Sequence, residues 1–482
     1  MMKKFFLAAL LLMAGKASLG AQTIEIPFTG DYADPTIVRV GEDFYMTHSS
    51  YNYYPGLLVW HSKDLKKWTP VTRTLHENVG TVWAPDIAYT NDKFYIYFPT
   101  NLGGNYVVTA DHIEGPWTAP IKLEVNGIDP GHIVDAEGNR YLYVNGGGYV
   151  TLTKDGLSAT SKEKYIYRGW EIPRDWPVEC HCLESPKLFF HQGYYYMVSA
   201  QGGTSGPSTS HMAIVARSKN VDGPWENSPY NPLIHTYDPN DEWVSKGHAT
   251  LFDDAKGNWY AVYHAFKREE RPQGRSTLIQ PIKWTKDGWP VLKTSSKEKY
   301  VAYTNTRPQS DDFNTGKLNW QWSFWGIDSP TDYQLNDGSV TLKGSKDKLR
   351  ALIAIASDAD YEVTAEIETE GNVETGLALM YNDGVYAGIG LNKGVIQGLW
   401  HGEPSWSTFE AKDCKFLKLK VEKYTISVSY SNDGVNWLGY PHGFDVSGYH
   451  TNIYGGFYCL KLSILCKGEG CVTIKNVTFK YE

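Results

Sequence analysis

The sequence lacks the features that mark several large classes of protein. Its 482 residues contain no long Lys/Arg run, and the formal net charge of −8 is spread along the chain. A nucleic-acid-binding face or a basic membrane-binding surface is therefore not indicated, and a neutral partner is favoured. Beyond the N-terminus, no segment reaches the roughly 18 uncharged apolar residues that a membrane-spanning helix needs. The sequence thus predicts no membrane span.

Cysteine is also scarce, with six residues in the chain. Cys180 and Cys182 flank His181, but the four ligands of a structural zinc site are missing at suitable spacing. This segment is instead predicted to be a loop near the functional site, with its two thiols free or paired elsewhere. In an oxidising compartment the remaining cysteines could form disulfides whose pairing the spacing does not give; they are Cys414, Cys459, Cys466 and Cys471.

The N-terminus is strongly apolar. Lysines at positions 3 and 4 precede an apolar run from Phe5 to Ala14, and small residues follow up to Ala21. This order is typical of a secretory signal peptide, here residues 1–21. No cysteine follows the apolar run to accept a lipid. We therefore expect an exported protein, either periplasmic or extracellular.

Helical periodicity is absent, and one short pattern recurs five times instead. Most copies open with a polar residue near a Pro, followed by an apolar stretch, a Gly or Asn turn, and an aromatic strand. The copies begin roughly 45 to 65 residues apart, which is the length of a four-stranded propeller blade. They start at Asp34-Pro35, Ala84-Pro85, Asp129-Pro130, Glu184-Ser185-Pro186 and Gly247-His248-Ala249. The sequence therefore predicts a five-bladed β-propeller over residues 22–293.

A second domain is predicted after the repeats. The pattern stops after Pro290, and the polar segment 294–310 is predicted to be a linker. Beyond it, strands such as 361–367 and 416–421 alternate in polarity, with turn signals roughly every 10 residues. Residues 311–482 are therefore predicted to form a β-sandwich of the concanavalin-like jelly-roll type, and the whole chain is predicted to be all-β.

Three carboxylates occupy matching positions in the repeat. Asp34 begins the first copy and Asp129 the third, while Glu184 is displaced by one residue in the fourth. Because the innermost strands of a propeller line one central channel, these side chains are expected to meet at its mouth. Inverting glycoside hydrolysis needs a protonated carboxyl for the leaving oxygen and an ionised carboxylate that activates water. The recurrence therefore points to this chemistry rather than to Asp-Pro turns alone.

The same residues resemble glycoside hydrolase family 43 over about residues 28–293. The resemblance is carried by Asp31-Tyr32-Ala33-Asp34-Pro35, Trp83-Ala84-Pro85-Asp86-Ile87, Gly127-Ile128-Asp129-Pro130, Glu184-Ser185-Pro186-Lys187-Leu188, Gly247-His248-Ala249 and Gly274-Arg275. It implies that Asp34 is the general base and Glu184 the general acid. It also implies that Asp129 orients the acid and helps to keep it protonated. Residues 310–482 resemble the sandwich that accompanies exo-acting xylosidases and arabinofuranosidases of the family.

The resemblance implies roles for three further residues. His248 is expected to face a central cation, commonly calcium, often through a water shell. Calcium prefers oxygen ligands, so one histidine does not define the metal. Trp83 is expected to stack on the sugar, with packing between blades as the alternative. Arg275 matches a substrate-facing arginine, with a surface ion pair as the alternative.

Together these features predict a secreted, exo-acting, inverting glycoside hydrolase. Its expected products are terminal α-L-arabinofuranose or β-D-xylose from plant cell-wall oligo- or polysaccharide. A galactan-active hydrolase of the same family stays open. A non-catalytic carbohydrate-binding propeller and a cell-surface scaffold or adhesion protein are further alternatives, although neither needs an acid, a base and a third carboxylate together. The exact sugar, the linkage and the oligomeric state are not fixed by the sequence.

Overall fold

The N-terminal part of the chain forms five antiparallel sheets that follow one another in sequence. A computed structural model describes residues 22–293, 298–304 and 306–481. The first strand is β1 (Gln22–Phe28). Blade one contains β2 (Thr36–Val40), β3 (Asp43–Thr47), β4 (Gly56–Ser62) and β5 (Thr69–Leu75), and blade two contains β6 (Asp86–Thr90), β7 (Lys93–Pro99), β8 (Asn105–Ala110) and β9 (Ile121–Lys122).

The other three blades follow the same plan. Blade three contains β10 (Gly131–Val134), β11 (Arg140–Val144), β12 (Gly148–Leu152) and β13 (Lys164–Tyr165), with the 3₁₀ helix Asn145–Gly147. Blade four contains β14 (Glu184–His191), β15 (Tyr194–Gln201), β16 (Met212–Ser218), β17 (Glu226–Asn227) and β18 (Ile234–His235). Blade five contains β19 (Trp243–Asp253), β20 (Trp259–Lys267), β21 (Arg275–Trp284) and β22 (Pro290–Leu292), with the 3₁₀ helix Arg271–Gln273.

Each sequence repeat coincides with the first hairpin of a blade. In blade one, Ile37 on β2 lies opposite Met46 on β3. The hairpin of blade two turns through Asn91 and Asp92, both with positive φ, as a tight two-residue hairpin turn requires. The turn residues and aromatic strands of the repeat therefore determine local hairpins, and the predicted five-bladed propeller is confirmed.

The N-terminal strand closes the ring of blades. β1 pairs antiparallel with β21, with Glu25 opposite Ile279, so the last blade is completed by a strand from the other end of the domain. On its far side, β1 pairs in parallel with β23 (Glu298–Ala302). This strand lies in the segment predicted as a linker, which therefore contributes to the propeller because it covers the open edge of β1. Residues 294–297 and 305, and the predicted signal peptide 1–21, lie outside the described residues.

The C-terminal domain is a β-sandwich, as predicted. Its strands are β24 (Trp322–Trp325), β25 (Tyr333–Asn336), β26 (Ser339–Lys343), β27 (Arg350–Ile355), β28 (Asp360–Asn382), β29 (Val385–Asn392), β30 (Val395–Trp400), β31 (Glu403–Glu410), β32 (Phe416–Glu422), β33 (Thr425–Ser431), β34 (Leu438–Gly439), β35 (Phe444–Asp445) and β36 (Lys461–Tyr481). A 3₁₀ helix at Pro330–Asp332 and the short helix α1 (Thr451–Tyr454) complete the described elements.

Two long strands hold the sandwich together. β28 and β36 pair antiparallel from Tyr361 opposite Tyr481 to Met380 opposite Lys461. The predicted strands 361–367 and 416–421 fall on β28 and β32, which are hydrogen-bonded neighbours. Alternate side chains of β28 are buried along its first half, so the polar and apolar alternation read from the sequence marks its two faces.

The two domains share one apolar core. Leu57 and Val82 of blades one and two belong to the same buried cluster as Trp322 and Phe324 of β24. The partly buried Arg73 spans the junction, because its guanidinium donates to the carbonyl oxygen of Trp322 at 2.7 Å. Among the described residues, no helix is long and apolar enough to cross a membrane.

Candidate active site

A cavity of about 200 Å³ lies at the mouth of the central channel. It is bounded by residues from every blade and by one residue of the sandwich. All six residues singled out from the sequence line it, namely Asp34, Trp83, Asp129, Glu184, His248 and Arg275.

The three carboxylates enter the cavity from the innermost strands of their blades. Asp34 lies two residues before β2, Asp129 lies two residues before β10, and Glu184 is the first residue of β14. Asp34 and Asp129 have φ angles of 58° and 57°, and His248 in blade five has 53°. Non-glycine residues held in this region cost about 1–3 kcal/mol each and collect at functional sites. The same costly backbone conformation therefore recurs at one position of three blades.

Asp34 is surrounded by groups that stabilise its charge. Arg275 donates from Nη1 to Oδ1 at 3.0 Å, and Ser49 donates from Oγ to Oδ2 at 2.6 Å. Nδ1 of His264 lies 3.1 Å from Oδ1 and accepts the backbone N–H of Asp34, also at 3.1 Å. Burial alone raises the pKa of Asp34, but the charge of Arg275 lowers that pKa well below its usual value, and the neighbouring His248 and His264 contribute less. Asp34 is therefore ionised at neutral pH, as a general base must be.

Glu184 and Asp129 have the opposite electrostatic character. Burial, followed by the charge of Asp34, raises the pKa of Glu184 to about 7. Burial, followed by the charges of Glu184 and Asp34, raises the pKa of Asp129 well above its usual value. Burial therefore favours the neutral form of both carboxyls, and the charge of Asp34 adds to this effect at each of them.

Arg275 forms a buried ion pair rather than a surface one. Its side chain is 6% exposed and pairs with Asp34. Its Nη2 also donates to the hydroxyl of Tyr51 at 2.6 Å. Because the guanidinium is fixed on two sides and also borders the cavity, it holds the base and faces the place where a substrate would lie.

His248 lies between two of the carboxylates. Its Nδ1 is 3.2 Å from Oδ1 of Asp34 and 4.0 Å from Oδ2 of Asp129. Its Nε2 is buried without a hydrogen-bond partner. Burial lowers the pKa of His248 to about 3, so the ring is neutral and can offer Nε2 as a ligand.

A possible cation site includes His248. Ligand atoms of Asp34, His248 and His264 lie within 4.8 Å of one another. Asp34 is already paired with Arg275, and the other two donors are nitrogens, which calcium does not prefer. These residues therefore fit a cation held through one nitrogen and water, and they do not fit a complete cage of protein oxygens.

An aromatic residue of the sandwich completes the cavity wall. Phe457 borders the cavity, and its ring centroid lies 5.4 Å from Cζ of Arg275. Trp83 also borders the cavity while packing against a cluster that includes Tyr53 and Trp325. Trp83 thus combines the predicted position at the sugar site with packing between the propeller and the sandwich.

The segment just before Glu184 forms another part of the wall. Cys180 and Cys182 form a disulfide with each other, so the expectation that their thiols are free or paired elsewhere is wrong. The preceding residue, Glu179, accepts the backbone N–H groups of Ser205 and Gly206 through Oε2, each at 2.8 Å. This contact ties the loop before the predicted acid to the loop after β15.

The four C-terminal cysteines are free thiols, so the disulfides that the sequence left open are not formed. Each Sγ faces a different group. The Sγ atoms contact the carbonyl oxygen of Phe416 for Cys414, Leu460 for Cys459 and Leu342 for Cys466, and the carboxylate of Glu370 for Cys471. The Cys459 thiol also interacts with the carboxylate of Asp31.

Several cavity residues were not identified from the sequence. Glu179, His211, His264 and Phe457 all border the cavity. His264 lies on β20 opposite Gly247, so its position follows only from strand register. Phe457 belongs to the other domain, and no repeat or motif connects it to the propeller.

Comparison with known proteins agrees with this geometry. Residues 24–290 match glycosyl hydrolases family 43. The chain belongs to this family. Residues 310–481 of the family 43 chain match the beta xylosidase C-terminal concanavalin A-like domain, which agrees with the observed sandwich.

Individual relatives indicate which enzymes of family 43 this chain resembles in activity class. The chain is 30% identical over 367 residues to the non-reducing end alpha-L-arabinofuranosidase BoGH43B of Bacteroides ovatus, covering 69% of this chain and 67% of that protein. It is 30% identical over 338 residues to a beta-xylosidase of Bacillus subtilis, covering 59% and 61%. The crystal structure of a xylan beta-1,4-xylosidase from Bacillus halodurans superimposes with a TM-score of 0.83 at 25% identity, covering 94% and 99%. The chain is therefore a glycosidase of the xylosidase and arabinofuranosidase type.

Proposed function

We propose that this glycosidase is exported and exo-acting, and that it hydrolyses with inversion to release terminal α-L-arabinofuranose or β-D-xylose from plant cell-wall polysaccharide. The observation that carries the proposal is the unequal surroundings of two carboxyls that line one cavity. Arg275 holds Asp34 ionised, whereas burial raises the pKa of Glu184 to about 7. Neighbouring carboxyls with separated pKa values are the requirement for acid and base catalysis in one site.

In the proposed reaction, Asp34 accepts a proton from water while the water oxygen attacks the anomeric carbon. Glu184 donates its proton to the glycosidic oxygen, and the bond between that oxygen and the anomeric carbon breaks. Asp34 is then protonated and Glu184 ionised, and proton exchange with solvent restores both. The two residues belong to blades one and four, so they approach the cavity from different sides. Asp129, whose pKa is raised by burial, is assigned the role of orienting Glu184.

Two features support release of single sugars from a chain end. The cavity volume of about 200 Å³ is below the 300–1,000 Å³ typical of sites for drug-sized ligands. Phe457 of the sandwich stands at its wall, so the second domain restricts the site. A small restricted cavity suits one terminal sugar better than an internal stretch of polysaccharide.

We also propose that His248 holds a hydrated cation at the propeller axis, with calcium as the first candidate. The buried, unpartnered Nε2 and the neutral state of the ring support this role. When bound, the cation supplies positive charge near Asp34 and Asp129. Its main expected contribution is stability of the channel mouth.

Export is proposed from two independent features. Residues 1–21 have the order of charged, apolar and small residues typical of a signal peptide. The Cys180–Cys182 disulfide is compatible with an oxidising compartment, where such bonds persist.

The function is tested with 4-nitrophenyl α-L-arabinofuranoside, β-D-xyloside and β-D-galactoside, followed by arabinan, arabinoxylan and galactan. We expect hydrolysis of at least one pentoside and a monosaccharide as the first polysaccharide product. NMR of the first-formed anomer should show inverted configuration. A ladder of oligosaccharides would reject exo action, and retention would reject the assigned roles of Asp34 and Glu184. No turnover with measurable sugar binding would favour a carbohydrate-binding protein.

A further inference from the structure

A short segment of the sandwich surrounds the arginine that holds the predicted base. Phe457 packs over the guanidinium of Arg275. Tyr458 lies next, with its ring centroid 5.6 Å from that of Tyr51, the tyrosine that accepts a hydrogen bond from Arg275. Cys459 then packs behind the turn before Arg275, because a Cβ on Gly274 would lie 2.8 Å from the Cβ of Cys459. The sandwich therefore contacts the surroundings of Arg275 on several sides.

Two buried ionisable residues lie in this contact and have no role in the reaction proposed above. Asp31 precedes the base by three residues in the propeller, and Lys461 begins β36 in the sandwich. Asp31 is 2% exposed and Lys461 is fully buried. Tyr53 links them, because its hydroxyl donates to Oδ2 of Asp31 at 2.8 Å and its ring centroid lies 5.2 Å from Nζ of Lys461.

The remaining contacts of Asp31 and Lys461 show which neighbouring groups compensate the charge of each side chain. Nζ of Lys461 donates to the carbonyl oxygens of Tyr381 and Cys459, each at 2.8 Å. It also faces the rings of Trp325 and Tyr458 at 5.3 Å. No carboxylate of the described residues forms an ion pair with Lys461. Oδ1 of Asp31 is buried without a hydrogen-bond partner.

Electrostatics couples these two residues to each other and to Arg275. Burial raises the pKa of Asp31, while the charges of Lys461 and Arg275 lower that pKa. Burial lowers the pKa of Lys461 to about 8, while the neighbouring Cys459 and then Asp31 raise that pKa. Removing one member of a buried, compensating pair leaves the other uncompensated, whereas removing both costs less.

We propose that Lys461 is a positioning residue for hydrolysis: together with Asp31 it forms a buried pair of opposite charge across the domain interface, and this pair fixes Arg275 and, through Arg275, the base Asp34. The backbone provides a second connection, because the amide of Tyr32 donates to the carbonyl oxygen of Arg275 at 3.1 Å. The segment that carries Asp31 is thus bonded to the strand that carries Arg275. This inference rests on the proposed function of the same site.

The test is a double-mutant cycle with Lys461→Met, Asp31→Asn and the variant that combines them. Methionine preserves an unbranched side chain among the aromatic rings, and asparagine preserves the size of Asp31. Lys475→Met is the matched control, because Lys475 lies on the same strand and pairs with Glu368 at the surface. The measurements are kcat and KM on the 4-nitrophenyl pentoside that the wild-type enzyme hydrolyses best, with the melting temperature of every variant.

Each single variant should lower kcat about tenfold or more, because a base displaced by a fraction of an ångström loses its aligned water. KM should change by less than about threefold, because the sugar contacts are retained. The loss of kcat in the combined variant should be at least about fivefold smaller than the product of the two single losses, because removing both charges leaves neither of them uncompensated. Lys475→Met should match the wild type.

Three outcomes would overturn the inference. The first is turnover by Lys461→Met within about twofold of the wild type, even if the variant melts earlier. The second is strict additivity of the two substitutions in kcat. The third outcome applies if Lys461→Met does not fold, in which case Tyr53→Phe replaces it. This variant keeps the ring and removes the hydroxyl bonded to Asp31, so it should lower kcat. An unchanged kcat in Tyr53→Phe would reject the role of Lys461. If the wild type and Lys475→Met hydrolyse no pentoside, the proposed function itself fails, and the role of Lys461 fails with it.

Discussion

The carboxyl groups of the cavity are chemically alike, and they differ in the side chains that surround them. Asp34 has a guanidinium nitrogen 3.0 Å from Oδ1 and a serine hydroxyl 2.6 Å from Oδ2. Glu184 is partly buried, and its strongest charged neighbour is an anion, Asp34. The environment therefore supports the proposed assignment of Asp34 as base and Glu184 as acid, which residue type alone does not do.

Substitution should separate these two roles. Asp34→Asn and Glu184→Gln should each reduce turnover of natural glycosides by about 10²–10⁴, the range typical of acid and base catalysis. A 4-nitrophenyl leaving group needs little protonation, so Glu184→Gln should retain much more activity on aryl pentosides, whereas Asp34→Asn should stay inactive on both. Steady-state rates on matched aryl and natural substrates give the comparison. An Asp34→Asn enzyme with near-wild-type turnover would contradict the assignment.

The raised pKa of Glu184 predicts the alkaline limb of the pH profile. Glu184 must be protonated to act as acid, so kcat/KM on natural glycosides should fall as pH rises through about 7. With Glu184→Gln and an aryl pentoside this limb should disappear, because the titrating group is gone. A limb that persists unchanged in the variant would assign it to another residue.

At the scale of elements, the loop between β35 and β36 connects the two domains at the cavity. Helix α1 lies in this loop, and Asn452 of α1 bonds through its side chain to the backbone of Ser205 and to Arg271. Arg271 also donates to Ser208 at 3.0 Å. The loop that carries Phe457 is therefore anchored on blades four and five.

Removing the ring of Phe457 should weaken substrate binding. Phe457→Ala should raise KM for aryl pentosides about three- to tenfold, since aromatic contacts contribute about 0.5–1.5 kcal/mol beyond their buried area. Phe409→Ala is the matched control, because Phe409 is 39% exposed and Phe457 is 40% exposed in the same domain. Steady-state kinetics give the KM of both variants. Equal KM values for the two variants would remove Phe457 from the binding site.

The cysteine pairing gives a second prediction at this scale. Alkylation of the denatured, unreduced protein should label the four free cysteines, and alkylation after reduction should label all six. Peptide mass spectrometry should locate the additional labels at Cys180 and Cys182. Full labelling without a reductant would show that this loop is not cross-linked.

At the scale of the whole molecule, closure of the ring brings residues from both ends of the propeller to one point. β1 completes the sheet of blade five, and Asp34 of blade one meets Arg275 and His264 of blade five. The sandwich then covers blades one and two through a shared core. The site therefore depends on the closed ring and on domain docking together.

A cation at the axis should stabilise this closed form. Because ligands that bind the folded state stabilise it by mass action, removing the metal should lower the melting temperature. His248→Ala should lower the melting temperature of the metal-loaded protein and abolish the response to a chelator. Elemental analysis and thermal unfolding before and after chelation provide the measurement. If verified metal-free protein melts and turns over unchanged, the cation proposal at His248 is incorrect.

The sequence by itself determined the number of blades, the all-β class and the meeting of three carboxylates. It did so because each repeat encodes a local hairpin, and equal positions in successive hairpins face one axis. Asp34, Asp129 and Glu184 could therefore be selected before any contact was known. The alternation at 361–367 and 416–421 likewise determined two strands of the sandwich.

Only the tertiary structure decided the charge state of these carboxyls and the composition of the wall around them. The pairing of Asp34 with Arg275, the place of β23 beside β1, and the approach of Phe457 and Lys461 all join residues far apart in the chain. Such contacts follow from ring closure and domain docking. They leave no periodic signal, because each is made once, between segments that only the closed ring or the docked domains bring together.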